Sequence, residues 1–121
     1  MDWIKCENDK KKCVWCELNK MSPLTDNAKY PGHCVFIVWH NGDKHNVLMV
    51  GQGKPEEVII WLQKHTEIQE YKDKGLYITF AGANPHTMAE RIEIYLSKTY
   101  NPRIKEDYPE ELQGIEVDLP F

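Results

Sequence analysis

Short apolar runs bounded by polar and turn-forming residues predict three β-strands. Residues 33–40 and 46–50 are rich in β-branched and aromatic side chains, which is typical of strands, and Asn41-Gly42 between them favours a hairpin turn. Residues 76–80 repeat this composition after a polar stretch. The pattern therefore predicts a hairpin that is followed, after an intervening segment, by a third strand.

Apolar residues at helical spacing predict two helices. The first begins near Pro55, because proline suits the first turn of a helix. The second follows Thr87, which forms a capping-box pattern with Glu90, and it ends at Asn101-Pro102. The order hairpin, helix, strand, helix, tail predicts an α/β (α+β) fold in which a three-stranded, mainly antiparallel sheet is flanked by helices.

The first thirty residues differ from the rest of the chain because they are polar and rich in cysteine. Tyr30-Pro31-Gly32 is a turn signal at the end of this stretch. We therefore predict two parts, a cysteine-containing N-terminal segment over residues 1–29 and a main domain over residues 30–121. The N-terminal segment is a candidate zinc knuckle.

The formal net charge of −4 counts against a protein that holds nucleic acid over its whole surface, because phosphate contacts need positive charge. Two local clusters are basic: residues 10–12, and a group around the end of the last helix that comprises Arg91, Lys98, Arg103 and Lys105. The simplest interpretation of both clusters is a solvated surface.

The hydrophobic runs predict a cytoplasmic protein without a membrane partner. The longest run, residues 35–39, has the length of a strand and is too short to span a bilayer. The N-terminus also lacks the apolar core of a signal peptide. In the cytoplasm, the four cysteines are expected to be thiols or metal ligands and not disulfides.

Three cysteines lie close together in the N-terminal segment. Cys13 and Cys16 form a CxxC pair, and Cys6 precedes them. Two thiolates at this spacing can share one zinc ion, which takes four ligands in structural sites. The fourth ligand of a structural Zn²⁺ site would be a thiol or an imidazole, Cys34 in the first place, or His33, His40 or His45. A redox-active CxxC and free thiols are the alternatives.

Short motifs in the predicted main domain resemble those of the GIY-YIG nuclease superfamily. Residues 31–35 (Pro-Gly-His-Cys-Val) open the first strand where the family has Gly-Ile-Tyr, and residues 49–52 (Met-Val-Gly-Gln) close the second where it has Tyr-Ile-Gly. The last helix carries Glu93, with Pro102 after it, at the spacing of the family's metal-binding Glu and following Pro. The resemblance extends from Tyr30 to the C-terminus.

The resemblance implies phosphodiester cleavage with Mg²⁺ or Mn²⁺, in which Glu93 holds the metal ion. The family uses two tyrosines and an arginine as well. This sequence has Cys34 and Met49 at the two tyrosine positions, and Lys54 is the nearest cation to the missing arginine. His33 is a substitute general base, and Tyr77 on the third strand is another candidate. The simpler interpretations are a packing aromatic for Tyr77 and a solvated carboxylate for Glu93.

Three functions fit these patterns. The first is a catalytically degenerate GIY-YIG-like protein that binds DNA, RNA or a protein partner. The second is an active endonuclease, and the third is a zinc-stabilised adaptor for protein interactions. Each lost electrostatic contact costs roughly 3 kcal/mol of transition-state stabilisation, so the loss of two phenols and a guanidinium favours the first.

Overall fold

The predicted apolar segments form the sheet of this protein. The computed structural model describes residues 1–7, 9–22, 32–41, 46–83 and 86–121, without the side chains of residues 86 and 87. The strands are β1 (Cys6–Glu7), β2 (Cys13–Val14), β3 (Cys16–Glu17), β4 (Cys34–His40), β5 (Asn46–Gly53) and β6 (Leu76–Gly82). The helices are α1 (Pro55–Gln63), α2 (Thr66–Gln69) and α3 (His86–Tyr100).

The architecture is α+β, as the sequence predicts, with two antiparallel sheets. β1 pairs with β2, and the larger sheet has the order β3-β6-β4-β5. Among the described residues this larger sheet has four strands and not the predicted three, because Cys16 and Glu17 of β3 pair with Ile78 and Tyr77 of β6. A strand of two residues shows no alternation in sequence. It forms because the edge of β6 offers unpaired backbone groups.

Helices cover both faces of the larger sheet. On one face Phe36 packs in a cluster with Ile59 of α1, and on the other Ile37 packs in a cluster with Ile92 and Leu96 of α3. Since consecutive strand residues point to opposite faces, all seven residues of β4 are buried. Within the described ranges, no helix is long and apolar enough to cross a membrane.

Three predicted boundaries fall at or beyond the edge of what the structure describes. Gly42 of the predicted hairpin turn and the junction between residues 29 and 30 lie outside the described residues. α3 begins at His86, one residue before the predicted cap Thr87, whose side chain also lies outside them.

The chain after α3 packs back onto the domain. The amides of Arg103 and Ile104 donate to carbonyl oxygens of β5 at 3.2 and 2.8 Å. At the end of the chain, the ring of Phe121 lies 4.8 Å from that of Trp39, between centroids. The Tyr100 hydroxyl donates to a main-chain oxygen of Phe121 at 2.6 Å. The tail therefore bonds first to β5, and its last residues pack in the layer that contains α3.

Cys6 and Cys16 form a disulfide, with their Cα atoms 5.0 Å apart. The prediction that the cysteines are thiols or metal ligands is therefore wrong for these two. The physical reason is their common neighbour β6. The amide of Ile4 donates to the carbonyl of Phe80 at 2.8 Å, and Cys16 pairs with Ile78, so both cysteines are held beside the same strand.

Reduction of this disulfide should lower the free energy of unfolding by about 2.5 kcal/mol, because an open loop gains entropy in the unfolded chain. The bond closes a loop with a sequence separation of 10. Urea unfolding with and without a phosphine reductant measures the difference. Cys13→Ser, at an exposed free thiol, should keep the wild-type response to reductant, whereas Cys6→Ser should remove it. An unchanged wild-type midpoint on reduction would contradict the expectation.

Candidate functional site

Glu93 is a buried carboxyl on the face of α3 that meets the sheet. The residue is 2% exposed, and its neighbours Ile92 and Leu96 pack on the sheet. Glu93 is buried because it falls within the apolar stripe that recurs at three- and four-residue spacing along this helix. The interpretation of Glu93 as a solvated carboxylate is therefore wrong.

Two side chains donate hydrogen bonds to Glu93, one to each carboxylate oxygen. The Gln52 amide nitrogen Nε2 lies 3.0 Å from Oε2, and the Tyr108 hydroxyl lies 3.0 Å from Oε1. Gln52 reaches this position from the end of β5, and Tyr108 from the tail after α3. Three separate parts of the chain thus converge on one carboxyl group.

His33 joins this cluster through Gln52. Its Nε2 lies 2.8 Å from Oε1 of Gln52. Because the amide nitrogen of Gln52 faces Glu93, its carbonyl oxygen accepts, and Nε2 of His33 carries the hydrogen. The next residue, Cys34, packs in the cluster on the opposite face of the sheet. His33 and Glu93 therefore share a site, with one amide between them, and Cys34 is outside it.

Burial raises the pKa of Glu93 to about 8 from its usual value of 4.5. The negative charge of the neighbouring Glu106 carboxylate, which is also within hydrogen-bonding reach, acts in the same direction, while the hydrogen bonds from Tyr108 and Gln52 oppose it. The pKa of Tyr108 is raised as well, by burial and then by the charge of Glu93. Glu93 is therefore mainly protonated at neutral pH and shares its proton with an acidic neighbour.

Glu93 and Glu106 are the carboxylates that would hold a divalent ion in this cluster. Mg²⁺ takes six oxygen ligands and favours charged carboxylates. Glu93 is held in its neutral form, and both of its oxygens already accept hydrogen bonds. No group of three or more His, Cys, Asp or Glu side chains in the described part of the chain is placed to hold a metal ion. The cluster does not fit the ion that the resemblance implies.

Gly51, a residue that carries the resemblance, has a packing role on the other face of the sheet. It pairs with Phe36, and a Cβ at Gly51 would lie closer to the ring of Phe36 than real Cβ atoms approach other atoms. Glycine is needed here so that the Phe36 ring can lie over the strand. This glycine is explained without any phosphate.

Tyr77, the other candidate base, lies far from the cluster. It pairs with Trp39 and stacks on its ring, with 5.9 Å between centroids. Five ladder positions, or roughly 16 Å at the rise of a strand, separate this pair from the pair of Cys34 and Gly82 beside His33. The structure does not bring Tyr77 to Glu93, and its packing with Trp39 agrees with the simpler interpretation.

The four cysteines predicted as zinc ligands do not meet in this structure. Cys6 and Cys16 are joined to each other, Cys13 is exposed, and Cys34 is fully buried in the core. Burial also raises the pKa of the Cys34 thiol to about 11, which disfavours the thiolate that zinc requires. The oxidised form described by the structure is thus unfit for zinc, and binding by the reduced chain stays a prediction.

Sequence reasoning found Glu93 and His33 but missed the residues that surround them. Gln52 stands inside the motif 49–52, next to the glycine, and its position was a usable signal. Tyr108 and Glu106 lie in a tail without periodicity, so nothing in the sequence predicts that they fold back to Glu93.

Comparisons of the chain with protein-family models, with curated proteins and with solved structures find no match.

Proposed function

We propose that this chain is a catalytically degenerate GIY-YIG-like protein that binds a partner, a nucleic acid or another protein, instead of cleaving phosphodiesters. The fold supports this: two antiparallel strands, β4 and β5, are followed by α1, by β6 on the other side of β4, and by α3. Two of the motifs that carry the resemblance, residues 49–52 and Glu93, are brought into contact.

The environment of the Glu93 carboxyl group is the observation that carries the proposal. Its carboxyl group is buried, is largely neutral at pH 7, and is covered by Tyr108 of the tail. A metal ion would have to displace the tail and remove the shared proton before it could bind. The polar groups of the site are satisfied by one another and stabilise the fold, so they are not directed at a substrate.

Exposed apolar side chains on α1 support a binding role. Ile60 and Trp61 are consecutive, and they are 46% and 50% exposed. The ring of Trp61 packs edge-to-face with that of His65, with 5.0 Å between centroids and an interplanar angle of 83°. Tryptophan is among the residues most enriched in the energetically important parts of protein interfaces.

An active endonuclease is the second candidate, and one observation favours it. His33 and Glu93 lie on either side of Gln52, so a general base and a metal-binding carboxylate would be neighbours if the tail moved away. The two candidates share a fold and differ in whether Glu93 can lose its proton and its cover.

Cleavage assays separate these two candidates. Wild type, Glu93→Gln and His33→Gln are incubated with labelled single- and double-stranded DNA and RNA in the presence of Mg²⁺ or Mn²⁺. We expect equal, background rates for all three proteins, because Glu93 does not act as a ligand. Glu93→Gln keeps the shape and the neutral state of the residue, so it is a matched control for the fold.

Metal-dependent cleavage that is lost in both variants would overturn the proposal and establish the nuclease. Cleavage that persists in Glu93→Gln would instead identify a contaminating enzyme, and repurification would have to remove it for the proposal to stand.

A further inference from the structure

An open cavity of about 460 Å³ lies at the end of the sheet opposite to Glu93. It is formed where β4 ends and β5 begins, at the pair of His40 and Asn46, six ladder positions from the pair of Cys34 and Gly53. The tail after α3 closes its other side, since the amide of Arg103 bonds to the carbonyl of Val47. The residues that line it are His40, Asn46, Val47, Leu48, Tyr100, Asn101, Pro102, Arg103 and Lys105.

The charged residues of this cavity are basic. Arg103 and Lys105 line it, and none of the lining residues in the described part of the chain is acidic. Lys74 lies nearby, because its Nζ and the guanidinium carbon of Arg103 are 5.9 and 5.7 Å from the centre of the same ring, that of Tyr71. Within the described ranges, none of these three cations forms a salt bridge. Their charge is therefore available to an anion.

His40 adds an unpaired polar atom to the wall of the cavity. Its ring stacks on Tyr71 with 5.0 Å between centroids and 12° between planes, which fixes its orientation. The residue is 8% exposed, and its Nδ1 is buried without a hydrogen-bond partner among the described residues. A buried nitrogen without a partner is costly, and an oxygen of a bound ligand would satisfy it.

His40 is held in its neutral form. Its pKa is lowered chiefly by burial and then by the positive charges of Lys74 and Arg103, while the main chain of Asn41 acts in the opposite direction. A neutral imidazole has one N–H group, and with its hydrogen on Nδ1 it can donate to an anion without adding a fourth positive charge to the three cations. The site thus combines charged and neutral donors, a set that suits an oxyanion.

We propose that this cavity binds the phosphate group of a phosphorylated ligand, with Arg103 and Lys105 as the charged contacts and His40 as a neutral donor. A guanidinium presents two parallel N–H groups that match two phosphate oxygens, and an ammonium adds a point charge. The volume exceeds that of a bare phosphate and lies within the range of small-molecule sites, so there is room for part of the attached group.

This inference goes beyond the proposed function, because the cavity and Glu93 lie at opposite ends of the sheet. The presence or absence of nuclease activity does not decide it. It also assigns a binding role to Arg103 and Lys105, which the sequence pattern alone places on a solvated surface.

The test is a titration of the ¹⁵N-labelled full-length protein, followed by NMR, with inorganic phosphate, adenosine monophosphate and a short single-stranded DNA in turn. We expect shift changes centred on His40 and residues 101–105. Binding should weaken about tenfold in Arg103→Gln, the size expected for a lost charged hydrogen bond, and less in Lys105→Gln. Arg103→Lys should fall between, because it keeps the charge and loses the fork.

The three probes distinguish the sources of the phosphate. Equal affinities for phosphate and the nucleotide indicate a site for the free ion. Tighter binding of the nucleotide indicates a small phosphorylated molecule as the ligand. Tighter binding of the oligonucleotide, with an affinity that falls as salt is added, indicates a nucleic-acid strand.

The control is Lys98→Gln, which removes an exposed cation of α3 that is not among the lining residues. It should bind every probe like the wild type. Shift changes outside the cavity, an equal loss of affinity in Lys98→Gln and Arg103→Gln, or no binding of any probe would overturn the proposal. Thermal unfolding of each variant checks that the fold is kept.

Discussion

Glu93→Gln should make the protein more stable than the wild type at pH 9 and no more stable at pH 5. The folded state binds the Glu93 proton more tightly than the unfolded state, because the pKa rises from 4.5 to about 8 on folding. The stability that this proton supplies is complete below about pH 4.5 and is lost as the pH rises through 8. Glutamine carries no such proton and does not lose it.

The expected change in the free energy of unfolding is on the order of 3 kcal/mol between the two pH values. Urea unfolding of wild type and Glu93→Gln across this range measures it, and the difference between the curves cancels the other titrating groups. Glu106→Gln removes a charge that raises the Glu93 pKa, so the loss of stability should be smaller in this variant and should end at a lower pH. Parallel wild-type and Glu93→Gln curves would show that Glu93 titrates normally.

The effect of Glu106→Gln on the loss of stability follows from the pKa of Glu93 in this variant. Without the repulsion from Glu106, Glu93 ionises at lower pH, but the ionised form costs less, so the total loss is smaller and the variant keeps more stability at high pH. The two variants therefore separate the contribution of burial from that of the neighbouring charge.

Trp39→Ala should cost about 3 to 5 kcal/mol of stability, the usual range for removal of a buried tryptophan. Trp39 is 2% exposed and packs against the rings of Trp15 and Phe121, at centroid distances of 5.4 and 4.8 Å. It also stacks on Tyr77. The substitution therefore opens a cavity at the point where the N-terminal segment, the sheet and the tail meet.

Trp61→Ala is the matched control for this substitution. Trp61 is 50% exposed, whereas Trp39 is 2% exposed. The loss of the Trp61 side chain should change stability by about 0.5 kcal/mol, as at other surface positions. Thermal and urea unfolding of both variants give the comparison. Equal costs would contradict the packing of the tail against Trp39.

The main sheet could be predicted because its strands are long enough to show their composition. All seven residues of β4 are buried, and the sequence from residue 34 to 40 is apolar apart from its last residue. β3 could not be predicted, because a strand of two residues has no pattern and depends on the edge of β6. The disulfide depends on the same pairing, so the sequence could not predict it either.

The candidate site could be predicted in part for a similar reason. Glu93 lies in α3 and His33 directly precedes β4, so the spacing of the motifs identifies both as candidates. Tyr108 lies in an irregular tail whose path is set by close tertiary contacts, such as Gly114, where a Cβ would lie 2.9 Å from the main-chain nitrogen of Tyr95. Sequence periodicity carries no information about contacts of this kind. The GIY-YIG resemblance stays a prediction.

The proposed function requires that Glu93 is a covered, neutral carboxyl group and not a metal ligand. The most direct test is the ¹³C chemical shift of the Glu93 carboxyl carbon, followed against pH with and without millimolar Mg²⁺, with Glu93→Gln to assign the signal. We expect a pKa of about 8 that Mg²⁺ leaves unchanged. A carboxylate that is already ionised at pH 6, or whose pKa falls when Mg²⁺ is added, would contradict it.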